Sequence, residues 1–486
     1  MKALRHWSVR HATLLKRVYD VGIAVGAPAL RGLVRTIGRD KADAVVAPIE
    51  RLVKGTLFDC QMCGQCALSA TGMSCPTNCA KQMRNGPCGG VRADGACEVI
   101  PEMKCVWVEA IEGRKRLAAA GIPSPPMIKP IDRRMMGSSS WVNVAAGEQT
   151  SNVSVSTPSE SRGSGGSAHH VERSGAHAFE RACRSNRFVV TVEISPPDSA
   201  DPEALLAKAR VFDGLADAMN VTDGAGGNCH MSSVAASAIL ATNGFTPVYQ
   251  MSCRDRNRIA MQGDLIGAAA LGVRNVLCLT GDDVINGDQP EAKRVFDLDS
   301  VSLLRIASGM RDRGEFASGR KLAVKPDIFL GATTNPFVPP YQDRIANLAA
   351  KIDAGARFIQ TQFCFDMEMF DRFMDGVRAA GLHHRAAIIV GVGALNSAKA
   401  LARMPSLVPG VRVPQHVVDR IAAFDDQKAA GEALLIETLR DLASVEGVAG
   451  MHVMGFRNER LLADAIIGSG VRQMLRPGSP NLRMAV

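Results

Sequence analysis

The stretch VVTVEISP, residues 189–196, reads as a strand buried on both faces: apolar and β-branched side chains run unbroken up to a single charge, Glu193. Seven segments downstream carry the same signature: ADAMNVTD (216–223), TPVYQMSC (246–253), NVLCLTGD (275–282), IFLGATTN (328–335), FIQTQFCF (358–365), AAIIVGVG (386–393) and AGMHVMGF (449–456). Each is followed by room for a helix. Eight strand–helix units within residues 176–486 predict an α/β fold, a closed (β/α)8 barrel. A doubly wound dinucleotide-binding sheet is the alternative. However, GVG at 391–393 and DGAGG at 223–227 are fragments without the G-x-G-x-x-G spacing that seats a pyrophosphate.

Upstream, the character of the chain changes three times. Residues 1–54 place apolar and basic positions at helical spacing and predict two or three amphipathic helices. The first 19 residues carry five Lys/Arg and no acid, as an organellar transit helix would, but they are poor in Ser. Residues 55–136 form a Gly-rich cysteine module with little apolar periodicity, a composition that needs a metal to hold it together. Residues 137–175 are rich in Ser, Gly and Thr and predict a flexible linker without secondary structure; the His169–His170 pair within it reads as exposed.

Charge and cysteine are unevenly distributed. Residues 1–136 hold 21 Lys/Arg and 11 Asp/Glu, whereas the remainder holds 36 and 37. The basic part suits an acidic redox protein or an anionic ligand, or is a solvated basic face. Three Trp and three Tyr in 486 residues leave few stacking platforms, so no nucleic-acid partner is expected. No apolar run nears the roughly 18 residues of a membrane span. The expectation is a cytoplasmic protein with no membrane segment and no membrane partner, assembling as a homo-oligomer. Eight of 13 cysteines fall at Cys60, Cys63, Cys66, Cys75, Cys79, Cys88, Cys97 and Cys105. In a reducing compartment such a cluster reads as metal ligands rather than disulfides.

Barrels of this type carry their active sites at the C-terminal ends of the strands. The polar residues there are Glu193, Thr222, Asp223, Gln250, Asp282, Asn335 and Gln362. If the barrel closes, these carboxylates and amides converge on one mouth and suit a heterocycle with ring N–H and carbonyl groups. No strand lysine offers a Schiff base, and no HxH or HExxH spacing offers a catalytic metal in this half. Taken singly, each residue is more readily a strand-end hydrogen-bonding group than a catalytic one.

With VEISPP at 192–197, NVTDGAGG at 220–227, LTGDD at 279–283, IQTQFCFD at 359–366 and VRVP at 411–414, residues 180–475 resemble the methylenetetrahydrofolate reductase family. The resemblance implies a flavin-containing barrel in one-carbon metabolism and methionine biosynthesis. It would interconvert 5,10-methylenetetrahydrofolate and 5-methyltetrahydrofolate, with the methyl-oxidising direction open to it and FAD as cofactor. By the same resemblance Glu193 is the general acid and Asp282 an electrostatic partner of pterin and flavin. Gln362 binds the pterin, and Thr222, Gln250, Arg254, Arg256, Thr280 and Asn335 fall among the FAD contacts. Thr280 stands where bacterial members carry Arg and Asn335 where Tyr is common, and LNSA at 395–398 lacks a stacking aromatic; either NADH or a reduced redox protein is then the electron donor. A pterin-binding methyltransferase and a non-catalytic electron-transfer or docking subunit are the alternatives on the same fold.

The segment CQMCGQCALSATGMSCPTNCAKQMRNGPCGG at 60–90 resembles the cysteine-rich partner of methylenetetrahydrofolate reductase in acetogenic bacteria, here fused to the barrel. Eight thiolates match either two iron–sulfur clusters or two four-thiolate zinc sites.

Overall fold

The structure is a computed structural model. It describes the chain except residues 1, 85, 124–127, 129–130, 148–176, 394–396, 409, 456–457 and 478–486. The chain divides into two units, one of residues 1–87 and 102–174, the other of 88–101 and 175–486.

The second unit is the barrel. Its strands β1 (Val189–Ile194), β2 (Ala218–Val221), β3 (Pro247–Ser252), β4 (Asn275–Leu279), β5 (Phe329–Thr334), β6 (Phe358–Phe363), β7 (Ala387–Val392) and β8 (Val448–Val453) close in sequence order. All pairings are parallel, and β1 closes on β8 with Val189 opposite Gly450. The eight predicted strands are the eight observed. Five of the quoted segments overran their strands by two or three residues at the C-terminal end and three by one, because the residues there belong to the mouth loops.

The near-continuous apolar runs follow from burial on both faces. One set of side chains packs outward against the helices, the other into the barrel. The interior is closed at the N-terminal end by Val189, Ala218, Val248, Leu277, Phe329, Phe358, Ala387 and Ala449. A short helix before β1, Ala178–Arg184, covers that end and drives Phe179 into it. The Phe179 ring meets Phe329 and Phe358 edge-on, with centroids 5.9 and 5.1 Å away. Truncating this plug to Ala is expected to cost about 3–5 kcal/mol in urea unfolding. A loss under about 1 kcal/mol would show that the floor is not sealed by this ring.

The first unit begins with α1 (Lys2–Arg10), α2 (Ala12–Ile37) and α3 (Arg39–Phe58), followed by the cysteine loops, α4 (Val106–Ala119) and α5 (Ser140–Ala145). Helix α5 lies inside the tract read as a structureless linker. The Ser139 hydroxyl accepts from Val142 N and itself donates to buried Glu50, while Val142 is fully buried beside Ala42 and Val46. A cap and one anchored apolar residue suffice where composition alone suggested none. The His169–His170 pair and residues 148–175 of that tract lie outside the described residues.

Candidate active site and cysteine pocket

Strand period two carries the chemistry up the barrel. Val189 belongs to the apolar floor, so Thr191 and then Glu193 follow it inward on β1. Ala218, Asn220 and Thr222 rise in the same way from β2, and Phe358, Gln360 and Gln362 on β6. Above the floor lies a buried polar layer. Asn220 Nδ2 donates to Gln360 Oε1 at 2.6 Å, and Gln360 Nε2 donates to Thr191 Oγ1 at 3.2 Å. Thr191 Oγ1 lies 3.0 Å from Nδ1 of His452, on β8.

Thr191 Oγ1 also reaches Met451 O, at 3.4 Å, so its proton has two acceptors within range and the layer joins β1, β6 and β8. Burial keeps the His452 ring neutral, its pKa pushed down to about 3. Nε2 stands 3.9 Å from Glu193 Oε2.

Glu193 is the perturbed acid of the mouth. Burial first, and then the negative charge of Asp282, push its pKa up to about 7. Asp282, in the loop after β4, accepts from Gly226 N at 3.0 Å, which ties that loop to the one after β2. Gln362 turns its carbonyl to Phe363 N at 3.0 Å.

Two hydroxyls near the ends of adjacent strands, Thr222 Oγ1 and Ser252 Oγ, are buried and lack a hydrogen-bond partner among the described residues. Unsatisfied buried hydroxyls are uncommon and are satisfied by a ligand atom or an ordered water. Thr222 was read from sequence; Ser252, Thr191, Asn220, Gln360 and His452 were not. For Thr191 and His452 the missing signal was the inward parity with Glu193.

Other candidate residues have protein partners. Arg256 pairs with Asp223 and, at 3.2 Å, with Asp264 and the Tyr249 hydroxyl. Arg254 pairs with Asp255 at 2.8 Å and donates to Gly224 O at 3.0 Å. Gly224 has φ 58°, and a Cβ there would collide with this guanidinium, so glycine is required on both counts. Asp223 also accepts from Ser252 N at 2.8 Å and Ser233 Oγ at 3.0 Å, acting as a brace between β2 and β3. Asn335 donates to the carbonyls of Gly410 (2.9 Å) and Gly89 (3.1 Å), holding residues 88–101 on the barrel unit. Gln250 is buried within β3, and Thr280 accepts at its carbonyl from Cys253 N.

The first unit holds a different cluster. Cys60, Cys63, Cys66 and Cys75 line one pocket with Lys54 and Arg84. A hydrogen bond from Cys75 lowers the Cys60 pKa to about 7, helped by Met62 N–H and Lys54 against the effect of burial. The same bond and burial drive Cys75 upward. Of five non-glycine residues with positive φ among those described, Asp59, Met62, Met73 and Gln82 lie in this stretch. Such conformations cost about 1–3 kcal/mol each and persist where something else holds them. Cys79 and Cys105 also belong to this unit, whereas Cys88 and Cys97 belong to the barrel unit. Among the described residues, no three of His, Cys, Asp and Glu stand close enough to hold a metal ion.

The closed eight-stranded barrel thus carries a raised-pKa acid and two orphan hydroxyls at its mouth, an arrangement suited to a polar ring. Residues 178–469 match the family described as methylenetetrahydrofolate reductase, and the chain belongs to that family. Residues 40–132 match a second family, described as the C terminal of methylene-tetrahydrofolate reductase. The chain is 27% identical over 273 residues to 5,10-methylenetetrahydrofolate reductase of Pectobacterium carotovorum subsp. carotovorum, covering 55% of this chain and 85% of that one. It is also 27% identical over 239 residues to methylenetetrahydrofolate reductase 1 of Schizosaccharomyces pombe, covering 48% of this chain and 37% of that one. For the probable NADPH enzyme of Caenorhabditis elegans the covered share is 34% of the relative, so the chain spans about a third of the longer relatives. A solved protein of Clostridium thermocellum, described as binding two copies of 5-methyl-5,6,7,8-tetrahydrofolic acid, aligns with a TM-score of 0.44 and 14% identity. That alignment covers 61% of this chain and 98% of that one.

Proposed function

We propose that the chain interconverts 5,10-methylenetetrahydrofolate and 5-methyltetrahydrofolate with FAD at the barrel mouth, its electrons coming from NADH or a reduced redox protein. The observation that carries this reading is Glu193, held near neutral pKa beside Asp282 at the mouth. An acid with that pKa is protonated often enough near neutrality to donate, and basic enough to take the proton back. It would protonate the folate ring nitrogen as the five-membered ring opens. The charge of Asp282 would favour the cationic iminium that results. The Gln362 amide would orient the pterin by its hydrogen-bonding edge.

The residues fit a flavin. Thr222 Oγ1 and Ser252 Oγ are buried, unpartnered donors on neighbouring strands, the kind of group a cofactor ring edge satisfies. FAD, when bound, supplies hydride transfer, and the protein supplies position and charge. Arg254 and Arg256, already paired, would stiffen the surrounding loops. The pocket of Cys60, Cys63, Cys66 and Cys75 would hold an iron–sulfur cluster or zinc.

The test is spectroscopic. After reconstitution with FAD, anaerobic 5-methyltetrahydrofolate is expected to bleach the flavin band and an added acceptor to restore it. Folate binding without any flavin uptake would overturn the proposal in favour of a methyl-transferring barrel.

The polar layer yields its own prediction. His452→Phe keeps the ring volume and removes the ring nitrogen that faces Glu193. The alkaline limb of the kcat/KM profile is expected to move up by about half to one pH unit, because an apolar ring edge replaces a polar one 3.9 Å from the carboxyl and adds to the desolvation that already raises it. His452→Gln is expected to move it back. An unshifted profile with reduced stability would make His452 a packing residue only.

A further inference from the structure

We infer that the outer face of α1 and α2 lies on an anionic membrane surface, seated in the headgroup layer without crossing the bilayer. Trp7, Leu14, Val18, Val21 and Val25 follow one another at steps of seven, four, three and four residues, which places them on one helical face. All are exposed, Val25 most of all at 74%. Backbone bonds continue through His11, from His11 N to Trp7 O and Leu15 N to His11 O at 3.0 Å each. The two helices thus present a line about 27 Å long at 1.5 Å per residue.

The opposite face is already engaged. Arg5 pairs with buried Glu109 at 3.1 Å, and Ser8 Oγ donates to Leu57 O at 2.6 Å. Ala12 is fully buried, and Leu30, Leu33 and Val34 pack on Ala42, Val46 and Val142. The helices are therefore pinned with the apolar line outward. Helix α3 exposes a second line, Val45, Ile49, Leu52 and Val53.

Charge selects the occupant. Exposed Arg10, Arg17, Arg31 and Arg35 follow one flank of the line. Residues 1–58 carry eleven Lys/Arg against four Asp/Glu. A second copy of this face would bring matching arginine rims together with few acids to answer them. An anionic lipid layer answers every one of them. The surface is a convex helix side with a tryptophan at one end, the form of an interfacial helix. Among the described residues no helix is long and apolar enough to cross a membrane, which fits a surface seat.

Flotation of the full chain with vesicles of equal parts phosphatidylglycerol and phosphatidylcholine tests this. The chain is expected to float with those vesicles, to release as salt rises, and to ignore pure phosphatidylcholine. The pairs Arg17→Glu with Arg35→Glu, and Val18→Asp with Val25→Asp, are each expected to weaken binding about tenfold or more, with circular dichroism and folate turnover unchanged. The arginine pair keeps the test decisive if the valine pair fails to fold. Absence of flotation at low salt would overturn the inference. So would flotation indifferent to both pairs, or a self-association or acidic-protein complex that the pairs abolish without any vesicle binding.

Discussion

Glu193→Gln is expected to lower turnover about 10²–10⁴-fold while leaving folate binding nearly intact, measured by flavin reoxidation with 5,10-methylenetetrahydrofolate. The amide keeps the shape but has no acidic proton to give. The wild-type rate should fall as pH rises through about 7, since above that value Glu193 is ionised. In the variant this limb should be absent. Stability moves the other way. A carboxyl at about 4.5 in the unfolded chain and about 7 in the fold favours the protonated native state, so native stability is lost as pH rises between those values. Above pH 7 the Gln variant should therefore be more stable than wild type, by about 2 kcal/mol after allowance for partial exposure. An active Gln variant with an unchanged pH profile would remove Glu193 from the role of acid.

The second large effect concerns the cysteine pocket. On the reading that this pocket holds a metal, Cys63→Ser combined with Cys66→Ser is expected to strip it and to lower the first unit's unfolding free energy by on the order of 10 kcal/mol. The apolar core under these loops is small: Ala12, Phe58, Leu68, Met73, Cys75 and Leu117. It must also hold Asp59, Met62, Met73 and Gln82 in left-handed backbone conformations. Metal–thiolate bonds would offset that strain. Elemental analysis of anaerobically purified protein reads both the loss and the identity, iron or zinc. Retention of stoichiometric metal by the double variant would exclude these two ligands.

The sequence made the barrel legible because burial on both faces writes itself as short apolar runs, and eight of them leave few other folds. Glu193, Asp282 and Thr222 were legible because a charge or hydroxyl at such a strand end has few structural excuses. The roles of Arg254, Arg256 and Asp223 were not. Their partners lie in loops that approach only after the barrel closes, and nothing in local spacing announces that Arg256 will find Asp223 and Asp264. The contacts of Asn335 were illegible for the same reason: its partners, Gly89 and Gly410, lie 246 and 75 residues away. Helix α5 escaped because a Ser-rich composition masks a capping site as readily as it marks a linker.

The path of residues 88–101 has a consequence for any attempt to split the molecule. The chain enters the barrel unit at Cys88, leaves it after Pro101 and comes back only at Gly175. Nicking the polypeptide within 148–176 would yield an N-terminal piece still carrying a strip of the other piece's fold. The two products would behave as complementing fragments, soluble together and defective apart. Separate expression of residues 176–486 should then give a barrel that recovers its native packing only when the strip is supplied in trans.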